Sequence, residues 1–229
     1  VTPPPAALLR RVAAEFGGSA ALTAIVVGSG IAATGLSDDV GVQLLINAIA
    51  TAFGLFVLIT VLGPISGAHF NPVVSMVDLA LGHRGARDIA PYVAAQILGC
   101  VAGSVLANVM FDLPPVAFSG TDRITPGHLV AEVVATAGLV IVIFVLAATG
   151  RSVFAAGAVA AYIGSAYFFT SSTSFANPAI TVGRMFSDTF AGIAPGSAPL
   201  FVAAQLLGAL LGCGVVRALV PRTSPAGVR

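Results

Sequence analysis

Ser174-Phe175-Ala176-Asn177-Pro178-Ala179-Ile180-Thr181, read together with Gly67-Ala68-His69-Phe70-Asn71-Pro72-Val73-Val74 about a hundred residues earlier, decides the fold. Each stretch is a helix start. Asn is among the strongest N-cap residues, Pro suits the first helical position because its missing N–H would have no partner there, and an apolar run follows both. The spacing predicts short helices over Asn71–Leu81 and Asn177–Ser187, about three turns each and roughly 15 Å long at ~1.5 Å per residue. That is about half a bilayer core. A single Asn-Pro-Ala would be no more than a capped helix. Two such starts, each preceded by a polar segment containing Gly or Ser in an otherwise lipid-compatible chain, imply non-helical backbone at membrane depth. Such backbone is tolerated only inside protein or beside a water-filled path.

The composition agrees. Of 229 residues, 57% are hydrophobic and 8% charged, with a mean hydropathy of +1.02, whereas soluble domains carry roughly a quarter charged residues. The chain reads as an all-α polytopic membrane protein. Its length holds at most about eight spans, and six fit comfortably. A net charge of +1 argues against a nucleic-acid partner. Cys100 and Cys213 lie in apolar runs without CxxC spacing, where a thiol behaves as a small hydrophobe. The three His residues are scattered and make no metal site, nothing calls for a cofactor, and no nucleophile–base pair suggests an enzyme. The first apolar stretch begins after Arg10-Arg11 and lacks a convincing cleavage site, so it reads as a span and not a cleaved signal.

In chain order, Pro3-Pro4-Pro5 is a stiff leader, and helix one is expected over Leu8–Thr34, carrying Glu15 and a series of small residues. Helix two is expected over Val42–Leu62, ended by Gly63-Pro64. The first re-entrant loop and half-helix follow, then helix three over Ile89–Met110 and a long polar connector, Phe111–Gly127. Helix four (His128–Ala148) and helix five (Val153–Phe169) lead to the second half-helix, and helix six covers Pro199–Val220. The whole chain, 1–229, reads as one transmembrane channel domain with repeats over 8–110 and 128–220.

The halves match in detail. Ala14-Glu15-Phe16-Gly17 pairs with Ala131-Glu132-Val133-Val134, and Val93-Ala94-Ala95-Gln96-Ile97-Leu98-Gly99 is nearly reproduced by Val202-Ala203-Ala204-Gln205-Leu206-Leu207-Gly208. Three spans per half is an odd number, so the repeat is inverted in the membrane. With cytoplasmic termini, the inner side receives Arg10, Arg11, Arg84, Arg87, Arg151, Arg217, Arg222 and Arg229, leaving only Arg123 and Arg184 for the outer side. That imbalance follows the positive-inside rule and points to a plasma (inner) membrane protein with both ends in the cytoplasm.

With inverted halves of three spans, each carrying an Asn-Pro half-helix, the chain resembles the major intrinsic proteins, the aquaporin and aquaglyceroporin family. The resemblance rests on Ala14-Glu15-Phe16, Ile65-Ser66-Gly67-Ala68-His69-Phe70-Asn71-Pro72, Ala131-Glu132, Ala95-Gln96 with Ala204-Gln205, and Asn177-Pro178-Ala179. It implies six transmembrane helices with two re-entrant half-helices, a passive pore and a homotetramer in the lipid bilayer. Physical reasoning leads to the same pore. Opposed half-helices bring their positive ends to the midplane, and each capping Asn keeps its NH₂ free to donate into the pore, which disfavours cations. Asn71, Pro72 and Val73 and Asn177, Pro178 and Ala179 form the paired motifs, the first reading Val where Ala is usual. Glu15 and Glu132 are the two acids deep in full spans; their symmetry suggests that they support the loops and do not relay protons. His69 is expected to brace the first loop.

In that family the residue after the second Asn-Pro-Ala is usually Arg. Here it is Ile180, and spacing from the two Asn residues places the other filter positions at Thr51, Ser165 and Ser174. This implies a wide selectivity filter without its Arg, open to solutes larger than water. The pattern resembles a bacterial branch associated with arsenic resistance, so metalloid hydroxides or methylated arsenicals join glycerol-like polyols and water as expected solutes. Arg184, four residues past Ile180, is one turn along and is a candidate for the outer vestibule; the alternative is that it snorkels or pairs with Asp188. The rival classes are an ion-coupled secondary transporter, which also uses inverted repeats and broken helices, and an ordinary water or glycerol facilitator.

Overall fold

The computed structural model describes residues 7–220. The leader at Pro3-Pro4-Pro5 and the tail with Arg222 and Arg229 lie outside the described residues. Eight α-helices follow in order: α1 (Leu8–Leu36), α2 (Val40–Ser66), α3 (Pro72–Ala80), α4 (Ile89–Met110), α5 (Pro126–Ala148), α6 (Ala155–Phe169), α7 (Pro178–Arg184) and α8 (Ala198–Leu219). All but α3 and α7 are long and apolar enough to cross a membrane, α4 and α6 each counted with a preceding 3-10 turn. Their outward surface is apolar, with Phe53, Val61, Leu98, Val130, Phe169 and Leu210 exposed, as a lipid-facing surface requires.

The two repeats pack by the same device. Gly99 and Gly103 on α4 face α1, and Gly208 and Gly212 on α8 face α5. A Cβ on Gly99 would lie 2.4 Å from the Phe16 carbonyl oxygen, and one on Gly208 would lie 2.5 Å from that of Val133. Glycines four apart at these seams let the backbones approach closely, which is how helices associate where lipid removes the hydrophobic driving force. The half-helices α3 and α7 are held between these pairs and meet each other at the centre.

Three element boundaries depart from expectation. Helix two does not stop at Gly63-Pro64: α2 runs through Pro64 to Ser66, where Gly67 takes a left-handed φ of 95° and donates its N–H to the Gly63 carbonyl. Pro near a helix end deletes a single backbone bond, so the helix survives it. Pro126 opens α5 and is not part of the connector, since Thr125 caps the helix through the His128 N–H and Pro fills the first turn. The second half-helix ends at Arg184, short of Ser187. The chain beyond it bonds to the connector and to the end of α4 instead: Ala117 and Ser119 donate backbone N–H groups to the Phe186 and Met185 carbonyls, and the Asn108 side chain on α4 donates to the Phe186 carbonyl. Those partners replace the helical ones and let the chain turn away.

Candidate functional site

Asn71 and Asn177 cap α3 and α7, accepting from Val73 N (3.1 Å) and from Ala179 N (2.9 Å). Their amides also reach across the midplane. Asn71 Nδ2 donates to the Ala176 carbonyl and Asn177 Nδ2 to the Phe70 carbonyl, both at 2.8 Å. The expectation that each NH₂ is wholly free to the pore is therefore corrected. One hydrogen of each pair ties the half-helices together, and the second remains.

Glu15 and Glu132, fully buried, hold the loops that lead into these caps. Glu15 accepts from Ser66 Oγ (2.6 Å), His69 N (3.0 Å), Phe70 N (2.7 Å) and Gln96 Nε2 (2.8 Å). Glu132 accepts from Ser172 Oγ (2.6 Å), Phe175 N (2.9 Å), Ala176 N (2.9 Å) and Gln205 Nε2 (2.6 Å). The two sets are equivalent residue by residue. Each carboxylate spends its four lone-pair sites on four donors.

These loops carry unusual backbone. Ala68 (φ 50°) and Phe70 (φ 48°) in the first, and Thr173 (φ 63°), Ser174 (φ 55°) and Ala176 (φ 46°) in the second, are left-handed although none is Gly. Each such residue costs about 1–3 kcal/mol and persists only where its surroundings fix it. The carboxylate bonds supply that fixing.

A cavity of about 700 Å³ runs between the half-helices, bounded at one end by Asp78, His83 and Ser152 and at the other by Thr51, Ser174, Ile180 and Arg184, with Asn71 and Asn177 between. Its remaining wall is mostly apolar, including Leu22, Val74, Leu139, Phe144 and Ile163. Thr51, Ser174 and Ile180 all line this cavity. Ser165 does not. It lies exposed on the outside of α6, bonding its own helix at the Tyr162 carbonyl (2.8 Å). Two residues on, about 200° around the helix, Tyr167 occupies the wall, its hydroxyl 3.0 Å from Thr51 Oγ1. Counting back from Asn177 missed it because a count cannot fix the phase of a helix across a loop; the burial of Tyr167 beside exposed Phe168 and Phe169 is the signal that finds it.

Arg184 lines the same end of the cavity and does not pair with Asp188, whose carboxylate accepts from Gly120 N at 3.0 Å. Its Nε donates to the Ala191 carbonyl, and its guanidinium carbon sits 3.4 Å from the Phe175 ring centroid. Arg123, on the connector, lies 5.3 Å from the same centroid. Burial lowers the Arg123 pKa, while the Ser197 hydroxyl holds the neighbouring Asp122 carboxyl below the usual range. At the opposite end, His69 Nδ1 lies 3.0 Å from Ser75 Oγ, and Arg84 bonds Asp78 at 2.9 Å and the Ser66 carbonyl at 3.1 Å. Val73 is fully buried behind the first cap and is not on the cavity wall.

The family model for the major intrinsic proteins matches residues 5–176. Aquaglyceroporin AqpS of Rhizobium meliloti (strain 1021) is 47% identical over 218 residues, covering 95% of this chain and 93% of that protein. Aquaporin Z of Brucella melitensis is 32% identical over 234 residues, covering 94% of this chain and 100% of its own length. Among solved structures, the aquaglyceroporin from Plasmodium falciparum superposes with a TM-score of 0.72 at 21% identity, covering 94% of this chain and 98% of that one. The family model covers the first capped half-helix and both carboxylates, the match to AqpS extends over the second half-helix as well, and this chain belongs to the major intrinsic protein family.

Proposed function

We propose that the protein is a passive channel for small neutral or weakly ionised solutes: glycerol-like polyols, some water, and metalloid hydroxides or methylated arsenicals. The observation that carries this reading is Ile180 in place of Arg directly after Asn177-Pro178-Ala179, on a cavity wall shared with Thr51 and Ser174. Hydroxyls on one side and an apolar wall on the other suit solutes with both carbon and oxygen surfaces, and the missing Arg leaves room that a water filter would close. The channel class is favoured over a moving transporter by the reciprocal bonds of Asn71 and Asn177, which tie the two repeats at the point where alternating access would have to part them. In this reading the protein sits in the inner membrane with cytoplasmic termini, as a homotetramer with one pore per subunit.

Stopped-flow light scattering on proteoliposomes tests it, comparing water, glycerol and a neutral arsenic hydroxide for the wild type and Ile180→Arg. The wild type passes all three, and Ile180→Arg closes off the larger two while sparing water. A wild type that passes water alone overturns the wide-pore reading.

A further inference from the structure

We propose that the end of the pore bounded by Ile180 holds a binding site for small oxyacid monoanions, and that Arg184 is its cation; this rests on the channel reading above. Arg184 is 3% exposed, yet it lines the cavity, and no carboxylate pairs with it among the described residues. The stack on Phe175 and the Nε bond to Ala191 fix the plane of the guanidinium. Nη1 and Nη2 have no hydrogen-bond partner among the described residues, so the open edge of the fork has its donors unspent. A buried guanidinium with no carboxylate paired to it calls for an anion, and its fork matches two oxygens of one ligand.

A second group points to the same place. Ser174 Oγ is buried on the cavity wall with no partner, although buried hydroxyls are nearly always bonded. Thr51 and Tyr167, bonded to each other at 3.0 Å, add two hydroxyls that can accept from a protonated ligand oxygen or donate to a bare one. Glu132 makes no ion pair with Arg184, its oxygens being held by four neutral donors; its single negative charge, felt only through space, stands against the two guanidiniums of Arg123 and Arg184 and leaves the site net positive. Arg123 adds positive charge beside the same ring, with its Nε and Nη2 held by the Gly192 and Phe190 carbonyls. The cation that Ile180 omits thus returns from one helical turn further along α7. There it attracts an anion without narrowing the wall at Ile180.

The test uses the full chain in proteoliposomes and hypophosphite, a small tetrahedral oxyanion with a single charge, with potassium and valinomycin carrying the compensating charge. Glycerol and methylammonium are measured alongside. The wild type passes glycerol and hypophosphite and excludes methylammonium. In Arg184→Gln the hypophosphite-to-glycerol flux ratio falls about tenfold or more, the ratio expected when a charge-assisted hydrogen bond is removed; Arg184→Lys retains part of it, as a point charge without the fork. An unchanged hypophosphite-to-glycerol ratio in Arg184→Gln overturns the proposal. If Arg184→Gln does not fold, the wild type decides: hypophosphite slows glycerol flux in a saturable way, and absence of competition overturns the site. Vesicles that pass glycerol no faster than empty ones overturn the channel reading itself.

Discussion

At the scale of single residues, the burden falls on two carboxylates. Glu15 and Glu132 each gather four donors, two of them backbone N–H groups from the residues just before an Asn cap. Replacing one by Gln turns an acceptor oxygen into a donor that faces donors, leaving buried groups unpaired at about 3 kcal/mol or more. Glu132→Gln is therefore expected to unfold at a clearly lower temperature in detergent and to lose glycerol flux, and so is Glu15→Gln; wild-type melting in either would remove the supporting role. These residues were legible in sequence because the repeat doubles every signal: Glu15 with Glu132, Gln96 with Gln205, Asn71 with Asn177. Tyr167 was not, since no counterpart marks it and the phase of α6 depends on loop geometry. The consequence can be measured. Tyr167→Ala, which opens the cavity wall beside Thr51, raises the erythritol-to-glycerol flux ratio severalfold, whereas Ser165→Ala on the outer surface leaves both fluxes as they were; a response from Ser165 and none from Tyr167 would restore the count made from sequence.

At the scale of elements, the interiors of helices were readable, and so were both ends of α4, the start of α1 and the C-terminal ends of α5 and α6. The ends of α2 and α7 and the start of α5 were not. Apolar runs predict spans well, but an end is decided by whichever partner takes the last backbone groups. Pro64 reads as a stop in sequence, yet the chain stays helical until Gly67 closes it. The short α7 reflects bonds from the connector, about 70 residues away in sequence, and no local pattern could have announced them. The seams rest on Gly99–Gly103 and Gly208–Gly212, in register between the repeats. Gly208→Val places a Cβ 2.5 Å from the Val133 carbonyl oxygen and 2.9 Å from Thr136 Cβ, an overpacking of about 1–3 kcal/mol before any helix shift. Gly17→Ala meets nothing within 4 Å. Size-exclusion profiles after membrane extraction should show a monodisperse peak for Gly17→Ala and loss or aggregation for Gly208→Val; equal profiles would mean that α5 and α8 can part without cost.

At the scale of the whole molecule, the charges sort by end as the sequence implied. Arg11 pairs with Asp88 at 2.7 Å, Arg84 with Asp78 at 2.9 Å, and Arg217 donates to the Ala80 carbonyl, all around the mouth below α3. Arg123 and Arg184 flank Phe175 beyond α7. An inverted repeat gives the two ends nearly the same backbone, so side-chain charge is what distinguishes them during insertion. In the proposed orientation, which keeps basic residues near span ends on the cytoplasmic side, the Arg84 mouth faces inward and the Arg184 end outward. This orientation has a direct test because the native thiols, Cys100 and Cys213, are both buried. Asp38→Cys, in the exposed turn between α1 and α2, should react with a membrane-impermeant maleimide in intact cells, and Ser152→Cys, exposed between α5 and α6, only after permeabilisation. The reverse pattern would place the constriction on the cytoplasmic face. Solutes arriving from outside would then meet the mouth bounded by Asp78 and His83 first, and Arg184 would select what leaves the cell instead of what enters it.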